Sequence, residues 1–142
     1  MRALQITAPG QAFLRMPPQA GITVAVVGDG NIGLLAVQVA QLFSPAFIVL
    51  MGSRNERLEM ARHLGATHTI NIRQSNPEAL IQSLTGGRGI DLVFEGGTRP
   101  EGVETAIRLA RRGGTVLLEG IAGSGARLSL ESDIFVLKHL AM

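Results

Sequence analysis

The feature that most restricts the fold of this chain is a glycine-spaced loop, GDGNIG, at residues 28–33. The β-branched run Thr23 to Val27 before it predicts a strand buried on both faces, and the apolar residues of Asn31 to Phe43 recur at helical spacing. In such a unit the glycines could serve only a tight turn. They also suit a pyrophosphate, because the backbone can approach it closely and the helix start offers unpaired N–H groups. The predicted dinucleotide contacts here are Gly28, Asp29, Gly30, Asn31, Ile32 and Gly33.

Strands and helices alternate along the rest of the chain. Right-handed crossovers between consecutive strands would give a parallel sheet covered by helices on both faces. The sequence therefore predicts an α/β fold, a doubly wound (Rossmann) sheet, and its 142 residues fit a single domain. The further predicted strands are Phe47 to Met51, Thr69 to Ile72, Asp91 to Phe94 and Gly114 to Leu118, and the further helices are Glu56 to Leu64, Pro77 to Leu84 and Pro100 to Ala110.

Composition excludes several classes of function. The chain has no cysteine, which rules out disulfides, thiolate zinc sites and cysteine nucleophiles. Its net charge is only +2, and its 13 basic residues, of which 12 are arginine, are scattered, so we expect no nucleic-acid partner. Neither the N-terminus nor the apolar stretch from Ile32 to Phe43 has the length and hydrophobicity of a signal or a membrane span. We therefore expect a cytoplasmic protein with no membrane association.

The residues after the second strand bear on which dinucleotide would bind. NAD enzymes of this type have an acidic residue there, which accepts hydrogen bonds from the adenosine ribose, whereas this chain has Gly52. Ser53 and Arg54 follow and could bind a 2′-phosphate, so NADP(H) is favoured over NAD(H). Arg54 could instead be a solvated loop cation. Arg57 could be a second phosphate contact or could pair with the neighbouring glutamates of its helix.

Five segments in order carry a resemblance to a known family: TVAVVGDGNIGLLAVQVAQ, ERLEMARHLGATHTIN, GRGIDLVFEGG, RRGGTVLLEGIAG and DIFVLKHLAM. Together they resemble the nucleotide-binding domain of the medium-chain dehydrogenase/reductase family, of the zinc alcohol, sorbitol and threonine dehydrogenase type. The resemblance covers nearly all of residues 21–142 and implies an oxidoreductase that transfers hydride. It also implies that Gly96 and Gly97 lie near the adenosine, and that Ile121 and Ala122 approach the nicotinamide.

The same resemblance implies a second domain, most of which this chain lacks. Residues 1–20, in which Met1 to Met16 predict one or two short strands, are interpreted as a remnant of the substrate domain, and residues 21–142 as the dinucleotide-binding domain. The family's zinc ligands and proton relay have no counterparts, and the three histidines lack metal-ligand spacing. We therefore predict no zinc and no catalytic residue. The chain is interpreted as a deleted, truncated or remnant form that binds NADP(H) without alcohol dehydrogenase activity of its own.

Other functions fit the same sequence. A second chain could supply a substrate domain and complete an oxidoreductase, or the fold could persist as a non-enzymatic interaction or structural module with a vestigial nucleotide site. FAD and S-adenosylmethionine also bind doubly wound folds, but neither gives Ser53 and Arg54 a role. The apolar segment 128–142, in which Ser132 to Leu140 can form a helix, predicts a homodimer, because the last strands of this domain pair across a two-fold axis in the family.

Overall fold

The computed structural model describes residues 13–14, 16–120, 125, 127, 129 and 133–138. Five parallel strands form one sheet in the order β3-β2-β1-β4-β5. The predicted α/β doubly wound sheet is confirmed. The strands are β1 (Thr23–Val27), β2 (Phe47–Gly52), β3 (His68–Asn71), β4 (Ile90–Glu95) and β5 (Ala110–Leu118).

Helices cover both faces of the sheet. The described helices are α1 (Asn31–Gln41), α2 (Asn55–His63), α3 (Pro77–Thr85), α4 (Pro100–Leu109) and α5 (Asp133–Lys138). Val24 and Val26 of β1 belong to one apolar cluster with α1 and α2, whereas Ala25 and Val27 belong to another with α3 and α4. Because every residue of β1 is buried, its uninterrupted β-branched and small apolar sequence follows from a position at the centre of two cores.

Helix α1 and strand β5 depart from their predicted ends by two residues or more, and the other predicted elements that the structure describes in full agree to within one residue at each end. Helix α1 ends at Gln41 rather than Phe43, and Ser44 then takes a left-handed φ of 52° that cannot continue a helix. Strand β5 begins at Ala110 rather than Gly114, which also ends α4 one residue early. Ala110 pairs with Ile90, and the register shifts before Thr115 pairs with Leu92. The longer β5 is therefore a bulged strand.

The start of the described chain packs into the core. Phe13 and Leu14 are helical, so the predicted strand is wrong at these two residues, and the prediction for residues 1–12 lies outside the described residues. The Phe13 ring is fully buried and stacks on Phe94 with a centroid distance of 5.6 Å, while Phe43 lies 6.0 Å away. This ring is therefore part of the core cluster between α1 and the sheet. The predicted domain boundary at residue 20 stays a prediction.

Helix α5 lies within the segment for which a helix was predicted, and one lysine ties it to α4. Lys138 Nζ donates hydrogen bonds to the carbonyl oxygens of Ile107, Arg108 and Ala110 at 3.2, 2.6 and 2.9 Å. Ile107 and Arg108 lie in the last turn of α4, where a helix leaves carbonyls without intrahelical partners, and Ala110 follows that turn. In the described ranges, no helix combines the length and the hydrophobicity needed to traverse a lipid bilayer.

Candidate functional site

A cleft of about 400 Å³ opens at the carboxyl ends of β1, β2 and β4. Strand β1 lies between β2 and β4, so the order of strands reverses here, and doubly wound sheets bind ligands at this edge. The cleft brings together eight of the predicted site residues, Gly28, Asp29, Gly30, Gly52, Ser53, Arg54, Gly96 and Gly97.

The three glycines of the loop meet three different structural demands. Gly28 has φ +112°, a region that side-chain-bearing residues rarely adopt. At Gly33 an added Cβ would overlap the carbonyl oxygen of Gly28, so only glycine lets α1 start this close to the end of β1. Gly30 is different, because a Cβ there would meet no atom of the described residues within 4 Å. Packing therefore does not explain why residue 30 is glycine. The open space beside it could hold a phosphate group of a ligand.

No described side chain caps the start of α1. Gly30 is its N-cap residue, makes no side-chain capping hydrogen bond, and no acidic residue lies in the first turn. The first intrahelical hydrogen bond runs from the N–H of Leu34 to the carbonyl of Gly30, at 3.0 Å. Earlier N–H groups are available to an anion, with the helix dipole aligned in its favour.

The Asp29 carboxylate joins the glycine loop to the turn after β2. Its Oδ2 accepts hydrogen bonds from the backbone N–H groups of Ser53 and Arg54 at 3.0 and 2.9 Å. Its Oδ1 accepts from Nε and Nη2 of Arg54 at 3.1 and 2.7 Å. Burial alone would raise the pKa of Asp29, but these hydrogen bonds and the charge of Arg54 hold it below the usual value. Asp29 is thus an ionised partner of Arg54.

The same carboxylate leaves no room for a side chain at Gly52. A Cβ there would lie 2.5 Å from Cγ and Oδ2 of Asp29. The absence of a strand-end acid in the sequence therefore has a steric counterpart in the structure. The guanidinium of Arg54 is half exposed at the cleft, with 49% of its side chain accessible.

The other predicted contacts lie beside the cleft or outside the described residues. Arg57 Nη1 donates a hydrogen bond to the side-chain oxygen of Asn31 at 3.0 Å, which links α2 to the start of α1. Ile32 borders Gly96, because a Cβ added to Gly96 would lie 3.1 Å from Cγ2 of Ile32. Ile121 and Ala122, predicted near the nicotinamide, lie outside the described residues.

The sequence reasoning missed the wall of the cleft that follows β4. This wall consists of Thr98, Arg99, Glu101, Gly102 and Thr105. Ile72, which follows β3, also lines the cleft. One signal could have found them: β4 neighbours β1 across the point where strand order reverses, so whatever follows β4 must border the same crevice.

Two glutamates at this edge of the sheet have buried carboxyl oxygens. Glu95 is 1% exposed, and its Oε1 accepts a hydrogen bond from the N–H of Gly97 at 2.9 Å. Burial raises the pKa of Glu95 and also that of Glu119, whose Oε1 has no hydrogen-bond partner among the described residues. Glu95 lines the cleft as a buried group that packs against glycines.

No metal-ligand cluster occurs in the part of the chain that the structure describes, where three or more His, Asp or Glu side chains never converge. His63 lies 3.5 Å from Glu59 on the exposed face of α2, and His68 contacts the ring of Phe47 edge-on. These described histidines and glutamates do not fit a zinc ion.

A second hollow, of about 530 Å³, lies at the opposite edge of the sheet and is rich in arginine. Four of the five cations that line it have partners among the described residues. Arg88 and Arg111 pair with Asp91, Arg108 lies 3.7 Å from Glu78, and Lys138 binds helix carbonyls. This hollow is therefore a structural ion-pair region.

Comparison with known proteins agrees with this geometry. A family model described as zinc-binding dehydrogenase matches residues 31–142. The sorbitol dehydrogenase of Bacillus subtilis (strain 168) is 36% identical over 110 residues, which are 78% of this chain and 31% of that protein. The NADP-dependent isopropanol dehydrogenase of Thermoanaerobacter brockii is 35% identical over 105 residues, 74% of this chain and 30% of that protein. Alcohol dehydrogenase TADH from Thermus sp. ATN1 superposes with a TM-score of 0.87 and 30% identity, over 96% of this chain and 40% of that one.

These matches confirm the family resemblance inferred from the five sequence segments. The chain spans about a third of the length of the curated relatives it matches. The family model covers most of the chain, from the first residue of α1 onward, and the solved structure has the same fold. The chain therefore belongs to the zinc-binding dehydrogenase family.

Proposed function

We propose that this chain is the NADP(H)-binding domain of a zinc-type, alcohol dehydrogenase-like oxidoreductase. The observation that carries the proposal is the end of β2, where Gly52 has no room for a carboxylate and Arg54 presents a half-exposed guanidinium at the cleft. The match to an NADP-dependent isopropanol dehydrogenase supports the same choice of cofactor. The exposed guanidinium of Arg54 next to the Ser53 hydroxyl suits a 2′-phosphate, and the nearby Asp29 carboxylate is already paired with Arg54.

Each part of the cleft has a role in this proposal. The pyrophosphate would lie over Gly30 against the start of α1, the 2′-phosphate would meet Ser53 and Arg54, and the adenosine would lie near Gly96 and Gly97. The bound nicotinamide would supply hydride transfer, whereas these residues only bind and orient it. We further propose that the chain does not catalyse alcohol oxidation alone, and that it acts in the cytoplasm.

Arg54→Ala tests the phosphate site. Two charge-assisted hydrogen bonds to the phosphate would be lost, so NADPH affinity should fall by about 10- to 100-fold, while NADH affinity should change by less than about threefold. Isothermal titration calorimetry of both nucleotides measures this, after circular dichroism has shown that the variant is folded. Arg62→Ala is the matched control, because Arg62 is a comparably exposed arginine that pairs with Glu59 away from the cleft. Equal loss of both nucleotides would contradict the phosphate role.

We also propose a homodimer through segment 128–142. Within it, Leu137 on α5 is a large apolar side chain with 63% of its surface exposed, a position that an interface would cover. Light scattering at micromolar concentrations should give twice the chain mass of 15.0 kDa, and Leu137→Asp should give the single mass. A wild-type chain that is monomeric under these conditions would refute the dimer.

A further inference from the structure

The Asp29 carboxylate could be read as a replacement for the strand-end acid of NAD enzymes, since it fills the space beside Gly52. Its hydrogen bonds argue otherwise. A carboxylate has about four acceptor positions, and Ser53 and Arg54 occupy them with two backbone N–H groups, Nε and Nη2. The acid of NAD enzymes works by accepting hydrogen bonds from ribose hydroxyls, and Asp29 has no acceptor left for them.

Asp29 instead fixes the donors that face the cleft. Its Oδ2 holds the backbone of the turn, and its Oδ1 holds one edge of the Arg54 guanidinium. The remaining edge, Nη1, donates to no described residue. An arginine that is already oriented loses less conformational freedom when it binds a phosphate, so the entropic cost of binding is smaller and the affinity is higher.

We propose that Asp29 is a positioning residue that sets cofactor specificity in two ways: it orients Arg54 toward a 2′-phosphate, and it occupies the space that an NAD-selecting carboxylate at residue 52 would need. This inference rests on the proposed NADP(H) function. It assigns the second residue of the glycine loop a role in choosing the nucleotide, in addition to the loop's role in binding the pyrophosphate.

The test is a calorimetric double-mutant cycle with NADPH and NADH as the two probes. Asp29→Asn should weaken NADPH by about tenfold and change NADH by less than about twofold. In the Arg54→Ala background the same substitution should not weaken NADPH, because the side chain that Asp29 positions is gone. Tighter NADPH binding by Asp29→Asn would mean that the carboxylate repels the phosphate, and equal weakening of both nucleotides would mean that Asp29 only supports the loop. Either result overturns the proposal.

A relocated carboxylate provides the second variant, and it decides the question even where Asp29→Asn fails to fold. Asp29→Gly combined with Gly52→Asp moves the acid from the loop to the strand end and removes the steric conflict between them. This variant should prefer NADH, and a retained NADPH preference would overturn the inference. The proposed function fails separately, if the folded wild-type chain binds neither nucleotide or prefers NADH.

Discussion

Asp91→Ala is expected to lower the free energy of unfolding by about 3 kcal/mol, because it removes the acceptor of a buried polar network. Asp91 is the second residue of β4 and is 8% exposed. Its Oδ2 accepts hydrogen bonds from the N–H and the hydroxyl of Thr23 at 2.8 and 3.1 Å, which ties the start of β4 to the start of β1. Without it, the buried N–H of Thr23 has no acceptor.

Two arginines also pair with Asp91, and the loss of these pairs adds to the expected decrease in stability. Arg88 contacts both carboxylate oxygens of Asp91 at 3.0 Å, and Arg111 Nε donates to Oδ1 at 2.5 Å. Both arginines are partly exposed and can be rehydrated, so the loss should be smaller than for a fully buried ion pair. Urea denaturation at pH 7 measures it. Glu59→Ala is the control, since Glu59 also pairs with an arginine and lies beside a histidine but is 60% exposed, and its loss should change stability by less than about 0.5 kcal/mol.

The decrease in the free energy of unfolding at acid pH tests the same network independently. Burial opposes ionisation of Asp91, but its hydrogen bonds to Thr23 and the two arginines lower its pKa from the ordinary 3.8 to about 2. A carboxyl with a lowered folded-state pKa stabilises the fold above its unfolded pKa and loses that contribution as the pH falls through the folded value. Wild type should therefore lose Asp91's contribution between about pH 4 and pH 2, and the difference between wild type and Asp91→Ala should narrow there. A constant difference across this range would contradict the assignment.

Local patterns were sufficient to predict the sheet and the edge that holds the cleft. The apolar run of β1, the spacing of the glycines and the helix that follows are properties of consecutive residues, and together they predict the first strand, turn and helix of a parallel α/β fold. That is why Gly28, Gly30 and Gly52 were expected at one site, and the structure brings them to one cleft.

Contacts between distant residues could not be predicted in this way. The bond from Asp29 to Arg54 joins residues 25 apart, and it depends on the register in which β1 and β2 pair, which neither segment encodes alone. The early start of β5 also depends on a distant contact, because Ala110 pairs with Ile90 on β4. The position of Phe13 in the core could not be predicted either, because the rings that it contacts, Phe43 and Phe94, are far along the chain.

Gly33→Ala is expected to destabilise the fold by about 3 kcal/mol or more, because the added methyl group would overlap the Gly28 carbonyl. The obstacle is backbone, so no side-chain rotation can relieve it. Gly28 cannot move away without loss of the hydrogen bond from its N–H to the Met51 carbonyl, 2.9 Å long, which joins the loop to β2. Urea denaturation should show the loss, and nucleotide binding should disappear with it.

Gly30→Ala separates the structural demand on the loop from the functional one. Its Cβ would enter open space and its φ of −76° suits alanine, so stability should change by less than about 0.5 kcal/mol. The same methyl group would stand where the pyrophosphate must approach the backbone, so NADPH affinity should fall by about tenfold or more. If Gly30→Ala binds NADPH as wild type does while Gly33→Ala is destabilised, the glycines serve only the turn, and the cleft does not hold a dinucleotide in this way.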